Sequence, residues 1–134
     1  LFRDIWSALG EHERCLVAGI AGVDTDGQRA PVYVHSKLML VDDVWATVGS
    51  ANLHSYSLFG NGEMNASIWC LEFVRALRCE LFREHLDVDT SSMDDRVALR
   101  TFRDVAHANR ERLNARDHGW QGLAFSLDPA GHGL

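Results

Sequence analysis

The sequence predicts an α/β fold, and three patterns carry that prediction. Apolar residues at helical spacing open the chain and recur from Phe73 onward. Two β-branched runs, 32–41 and 44–48, flank Asp42-Asp43 like the arms of a hairpin. Residues 63–68 then alternate polar and apolar with period two. With 134 residues, 46% of them hydrophobic and 24% charged, the chain can bury one core, so a single domain spanning 1–134 is expected.

Taken in order, Phe2, Ile5, Trp6 and Leu9 fall at i, i+3, i+4 and i+7 and predict a helix stopping at Gly10. The chain begins without methionine and inside this helix, which reads as a piece of something longer. Residues 15–23 are apolar with interspersed glycines and precede Asp24-Thr25-Asp26-Gly27, the pattern of a buried strand followed by a turn. Residues 32–41 form the next expected strand, and 44–48 its return partner. Glu63, Asn65 and Ser67 then line the polar face of a third strand whose other face is apolar. From Phe73 to Leu86, charges interleave with Phe73, Leu77, Leu81 and Phe82 at helical spacing. Ser92 with Asp95 three residues on reads as a capping box for a further helix reaching about Ala115, and the glycine-rich tail from Asp117 is expected to be irregular.

Composition narrows the function classes. A formal charge of -6 argues against coating nucleic acid by bulk electrostatics, although a local anion site stays open. Cys15, Cys70 and Cys79 are odd in number, form no C-x-x-C pair and have apolar neighbours, so buried free thiols are expected rather than disulfides or a zinc knuckle. No His/Glu spacing points to a metal, and no cofactor is expected. No apolar run approaches the roughly 18 residues of a membrane span, and no signal peptide is visible, which favours a cytoplasmic or membrane-peripheral location.

The chemistry is concentrated in His35-Ser-Lys37-Leu-Met-Leu-Val-Asp42, followed by Gly49-Ser50-Ala-Asn52. Lys37 is the only lysine of the chain; the other twelve basic residues are arginine. Residues two apart on a strand share a face, so His35 pairs with Lys37 and Ser50 with Asn52. A turn centred on Asp42-Asp43 would set His35 opposite Ser50 and Tyr33 opposite Asn52, gathering the polar groups on one side. A one-residue slip would turn half of them away. Gly49 is expected to spare room for a ligand near the backbone. A phosphodiester needs a nucleophile, a proton for the leaving oxygen, and donors for its non-bridging oxygens. Imidazole, with an ordinary pKa of about 6.5, can attack or shuttle a proton, whereas Lys37, Ser50 and Asn52 can only bind. Glu63 is the candidate carboxylate to hold the second ring nitrogen of His35.

These residues resemble the phospholipase D superfamily, whose signature H-x-K-x4-D-x6-G-S-x-N is filled at every specified position. Asn61-x-Glu63-x-Asn65 is similar to the family's downstream segment, and Leu77-Arg-x-x-Leu81-Phe-Arg-Glu-His85-Leu to the following helix of bacterial members. The resemblance is strong over 31–86 and implies a mixed β-sheet flanked by helices, one half of a pseudo-twofold that is incomplete at its N-terminus. It implies a metal-free, two-step reaction through a phosphohistidine, hydrolysing a phosphodiester or transferring a phosphatidyl group. Glu63 would buttress the histidine, and Asp42, like Gly49, would be structural. Two signatures make one site, so the expected partner is a second signature-bearing half, from the same longer chain or another subunit, with a phospholipid or other phosphodiester as substrate. The sequence departs from many members at His54-Ser55-Tyr56-Ser57, where they carry an aspartate and an arginine.

Blander readings compete elsewhere. Arg96, Arg100, Arg103, His107 and Arg110 form a helical stripe that could meet anionic lipid but reads first as a solvated face. Trp45 and Trp69 read as core aromatics. Against the lipase reading stand a homodimeric nuclease of the same superfamily, which would take nucleic acid as partner, and an inactive binding module of the same fold.

Overall fold

The computed structural model describes His12 and residues 15–127, so the helix expected over 2–10 lies outside the described residues. In chain order these form β1 (Ala18–Val23), β2 (Arg29–Pro31), β3 (Lys37–Val41), β4 (Trp45–Gly49), α1 (Ser55–Phe59), β5 (Asn65–Trp69), α2 (Leu71–Leu86), α3 (Asp95–Asn114) and β6 (Ala124–Ser126). The α/β class is as expected. The strands divide between two three-stranded antiparallel sheets, ordered β2-β1-β6 and β3-β4-β5. Two compact units result, one of Leu1–Tyr33 with Phe82–Leu134 and one of Val34–Leu81. Among the described residues, no helix is long and apolar enough to cross a membrane.

In the first unit, β1 turns into β2 where the sequence places the turn. The Asp24 carboxylate accepts from the backbone N–H groups of Asp26 and Gln28, and Gly27 takes a φ of 77° that side chains disfavour. The expected strand over 32–41 starts late, because β2 is drawn to β1 and Val32 N–H still donates to the Ile20 carbonyl at 2.8 Å. Helix α3 is capped by Asp94, whose carboxylate accepts from Val97 N–H at 2.8 Å; Ser92 lies two residues too early for that bond. The tail is not wholly irregular, since β6 pairs with β1 and all three of its residues are buried. Three residues are too few to show a period. Ala21, Trp120 and Phe125 pack together, and Asn109 of α3 secures the approach to β6. Its amide donates to the Gln121 and Ala124 carbonyls at 2.7 Å each and accepts from Gln121 N–H at 3.1 Å.

In the second unit, Asp42 and Asp43 take φ values of 50° and 54°, and Val44 N–H bonds the Val41 carbonyl at 3.0 Å, which is a two-residue type I′ turn. The ladder nonetheless resumes with Val41 opposite Trp45. Val44 is thus an extra residue on the return strand, a bulge that shifts the expected register by one. Asp43 is buried beneath this turn and takes both arms of the Arg78 guanidinium, Nε at 2.6 Å and Nη2 at 2.8 Å. Helix α2 begins two residues before the expected start and ends at the expected Leu86.

Residues alternate along β5 as predicted, but the apolar face expected to be core is not closed, with Ala66 exposed and Ile68 half-buried. Asn65, Ser67 and Trp69 share a face with Gly49, Thr47 and Trp45, while Ala66 and Ile68 share the other with Val48 and Ala46. Trp45 and Trp69 lie 6.1 Å apart, but Trp69 is 74% exposed and is not a core residue. The thiols also divide: Cys79 is buried, Cys15 half-buried, and Cys70, between β5 and α2, exposed.

Candidate active site

The shifted register replaces the expected His35–Ser50 opposition with a different row. Lys37 lies directly opposite Gly49, and Gly49 opposite Asn65, so the three residues share one face of the sheet. A methyl group on Gly49 would strike the Asn65 amide oxygen and the Met64 carbonyl, and would lie 2.6 Å from Asn65 Cα. Gly49 therefore makes room for the neighbouring strand, not for a ligand as the sequence reading had it.

Past Gly49 the sheet continues through side chains. Ser50 N–H donates to the Met64 carbonyl at 3.0 Å, and Met64 N–H returns a 3.0 Å bond to Ser50 Oγ. Ala51 N–H donates to Asn65 Oδ1 at 3.3 Å. Ser50 Oγ in turn donates to Glu63 Oε2 at 2.5 Å. The hydroxyl of Ser57, carried by α1, is the second donor to that carboxylate. Ser50 first and Ser57 second hold the Glu63 pKa below its ordinary value; burial opposes them weakly, and the charge of Lys37 adds to the lowering. Glu63 is a carboxylate at neutral pH.

Lys37 Nζ donates to the His35 carbonyl at 2.7 Å, which folds the ammonium back toward the histidine. His35 is exposed and precedes β3, so the shared strand face expected for His35 and Lys37 is replaced by this bond. Asn52 lies in the loop after β4, where its carbonyl accepts from His54 N–H at 2.8 Å; among the described residues no side-chain hydrogen bond joins it to the cluster. Asp42 is an exposed turn residue. The structure thus brings Lys37, Ser50 and Glu63 together and adds Asn65 and Ser57.

Sequence reasoning placed Asp43 only in the turn and Asn65 only on a polar strand face, and gave no role to Arg78 or Ser57. A signal for Arg78 was present, since it falls four residues after buried Val74 on the inward stripe of α2. Ser57 belongs to the stretch that departs from the family pattern. There His54 Nδ1 caps α1 by accepting from Tyr56 N–H at 3.3 Å, with the two rings stacked at 5.5 Å. Among the described residues no group of three or more His, Cys, Asp or Glu could hold a metal ion.

Comparison with known proteins agrees with the motif. A family model described as a cardiolipin synthase, PLD-like domain matches residues 8–85. Phospholipase D zeta 2 of Arabidopsis thaliana is 32% identical over 101 residues, 60% of this chain and 10% of that protein. Phospholipase D alpha 4 of the same plant is 38% identical over 65 residues, 43% of this chain and 8% of its own length. Phospholipase D1 of Schizosaccharomyces pombe is 28% identical over 108 residues, 68% of this chain and 7% of its own. The chain spans about a tenth or less of the length of these curated relatives. Signature, match and relatives converge: the chain belongs to the phospholipase D superfamily.

Proposed function

We propose that this chain supplies one of the two signature-bearing halves of a phospholipase D-like active site, which cleaves or transfers a phosphodiester through a phosphohistidine. The observation that carries the reading is the gathering of Lys37, Ser50 and Glu63 at one end of the β3–β4–β5 sheet, with the Lys37 ammonium bonded to the main-chain carbonyl of His35. In the first step, one imidazole nitrogen bonds to phosphorus as the bond to the leaving oxygen breaks, and the histidine of the other half gives that oxygen its proton. In the second, water or an alcohol loses its proton to that same histidine, attacks phosphorus and frees the first imidazole. Where this chain is the second half of a longer one, His35 is the general acid and base; in a symmetric dimer it takes either part.

Lys37 offers a point charge to the non-bridging oxygens, and Asn52 an amide. Ser50 both anchors Glu63 and places a hydroxyl at the site. Glu63, kept ionised by its two serine donors, is the carboxylate available to stabilise an imidazolium. The substrate favoured is a phospholipid, since the relatives are named phospholipases and the formal charge of -6 disfavours a polyanionic nucleic acid. Incubating the intact protein with labelled phosphatidylcholine and, separately, with labelled single-stranded DNA tests this. Release of choline or exchange of the headgroup is the expected result. Cleavage of DNA alone would favour the nuclease, and turnover of neither would favour an inactive binding module.

A further inference from the structure

We propose that Asn65 is a phosphate-binding residue, its side-chain amino group acting with Lys37 on the non-bridging oxygens of the substrate. The proposal rests on the phosphodiester reading of this face and deepens it.

Three features of the sheet lead there. The register sets Lys37, Gly49 and Asn65 in one line across three strands and on one face. Neighbouring strands lie about 4.8 Å apart, so the two outer residues start roughly 10 Å from each other. Gly49 places no side chain between them, and the Asn65 amide oxygen occupies the space a Gly49 methyl would fill. Lys37 thus approaches this row from one side and Asn65 from the other.

The second feature fixes the orientation of the amide. A backbone N–H can only donate, so the Asn65 atom facing Ala51 N–H at 3.3 Å is the carbonyl oxygen. The amino group, with two donors and no acceptor capacity, is therefore not the atom engaged by Ala51. Asn65 is exposed, and among the described residues no side chain or carbonyl takes a bond from that amino group. The third feature is position. The bond to Ala51 ties Asn65 to the middle of Ser50-Ala51-Asn52, the segment that carries two other oxygen-binding candidates, so one side chain both props that segment and stands beside it. Nearby negative charge comes from Glu63, whose carboxylate is already engaged by Ser50 and Ser57.

Propping and donating are separable by substitution. Asn65→Asp keeps an oxygen to accept from Ala51 but replaces the donor with an anion; Asn65→Ala removes both. Orthovanadate and inorganic phosphate are titrated into the intact wild-type protein, both variants and Lys37→Ala, with melting temperatures alongside. The expected result is that Asn65→Asp melts like the wild type yet binds vanadate at least about tenfold more weakly, and more weakly than Asn65→Ala. A purely structural role gives the reverse order, alanine worse than aspartate, and would overturn the proposal, as would wild-type affinity in both variants. If Lys37→Ala loses binding while Asn65→Asp keeps it, the phosphodiester site stands and Asn65 is removed from it. If the wild type binds neither anion and turns over no phosphodiester, both readings fall together.

Discussion

Asn109 in one unit and Asn65 in the other each accept a hydrogen bond from a backbone N–H, from Gln121 at 3.1 Å and from Ala51 at 3.3 Å. Asn109 is fully buried and also uses its amino group, on the carbonyls of Gln121 and Ala124. Asn65 is exposed and, among the described residues, leaves its amino group unused. The pair shows how to separate a polar side chain that completes a fold from one that offers something to a ligand. Inside, every donor and acceptor must be matched, because an unmatched one costs free energy. At a site, an unmatched donor can be the function. The sheets repeat the contrast: β6 is buried throughout, whereas the row through Lys37, Gly49 and Asn65 runs from a half-buried lysine to an exposed amide.

The harshest way to break the comparison is to open the closed part of the hairpin unit. Arg78→Ala leaves Asp43 buried without a counter-charge and is expected to cost about 3–5 kcal/mol in urea unfolding. A loss within about 1 kcal/mol would show that the pair does not close the turn. Next, Asn109→Ala strands Gln121 N–H and two carbonyls and is expected to cost about 2–3 kcal/mol, against less than about 1 kcal/mol for Asn65→Ala. Equal losses in those two variants would erase the distinction. Gly49→Ala should cost about 1–3 kcal/mol, because the added carbon meets backbone as well as the Asn65 amide, and adding Asn65→Ala should not restore stability. Full restoration would mean that the side chain alone sets the limit.

The smallest effect is electrostatic. Glu63 has a folded-state pKa below its ordinary value, so its hydrogen bonds contribute stability above the ordinary carboxylate range, and that contribution fades as pH falls through the depressed value. In a carboxyl-carbon NMR titration, Ser50→Ala should raise the Glu63 pKa more than Ser57→Ala does, following the order of the two hydrogen bonds. An unmoved titration in both variants would remove the serines as the cause.

Much of this was legible in the sequence. The signature announced itself by residue type and spacing, the alternation of β5 by period two, and helix α2 by apolar spacing, while α3 was expected from a capping box that the structure moves to Asp94. The register was not legible, because the two-residue turn was read correctly but the Val44 bulge depends on how the return strand packs. That one residue moved Lys37 from opposite Val48 to opposite Gly49 and gave Gly49 a different reason to be glycine. Two adjacent aspartates concealed which was buried; the answer, Asp43, is set by Arg78, thirty-five positions away. Strand β6 was missed because its three residues are held by β1 and by Asn109, partners distant in the chain.

The central claim is that the end of the sheet where Lys37 opens β3, with His35 just before it, is where a phosphodiester reacts. It is tested most directly by turnover of labelled phosphatidylcholine in the wild type, His35→Ala and Lys37→Arg, with melting curves to show that all three fold. The account predicts a loss on the order of 10⁴-fold for His35→Ala. It also predicts a clear loss for Lys37→Arg, where a planar fork replaces a point charge, with little change in melting. Turnover by His35→Ala equal to that of the wild type would contradict it.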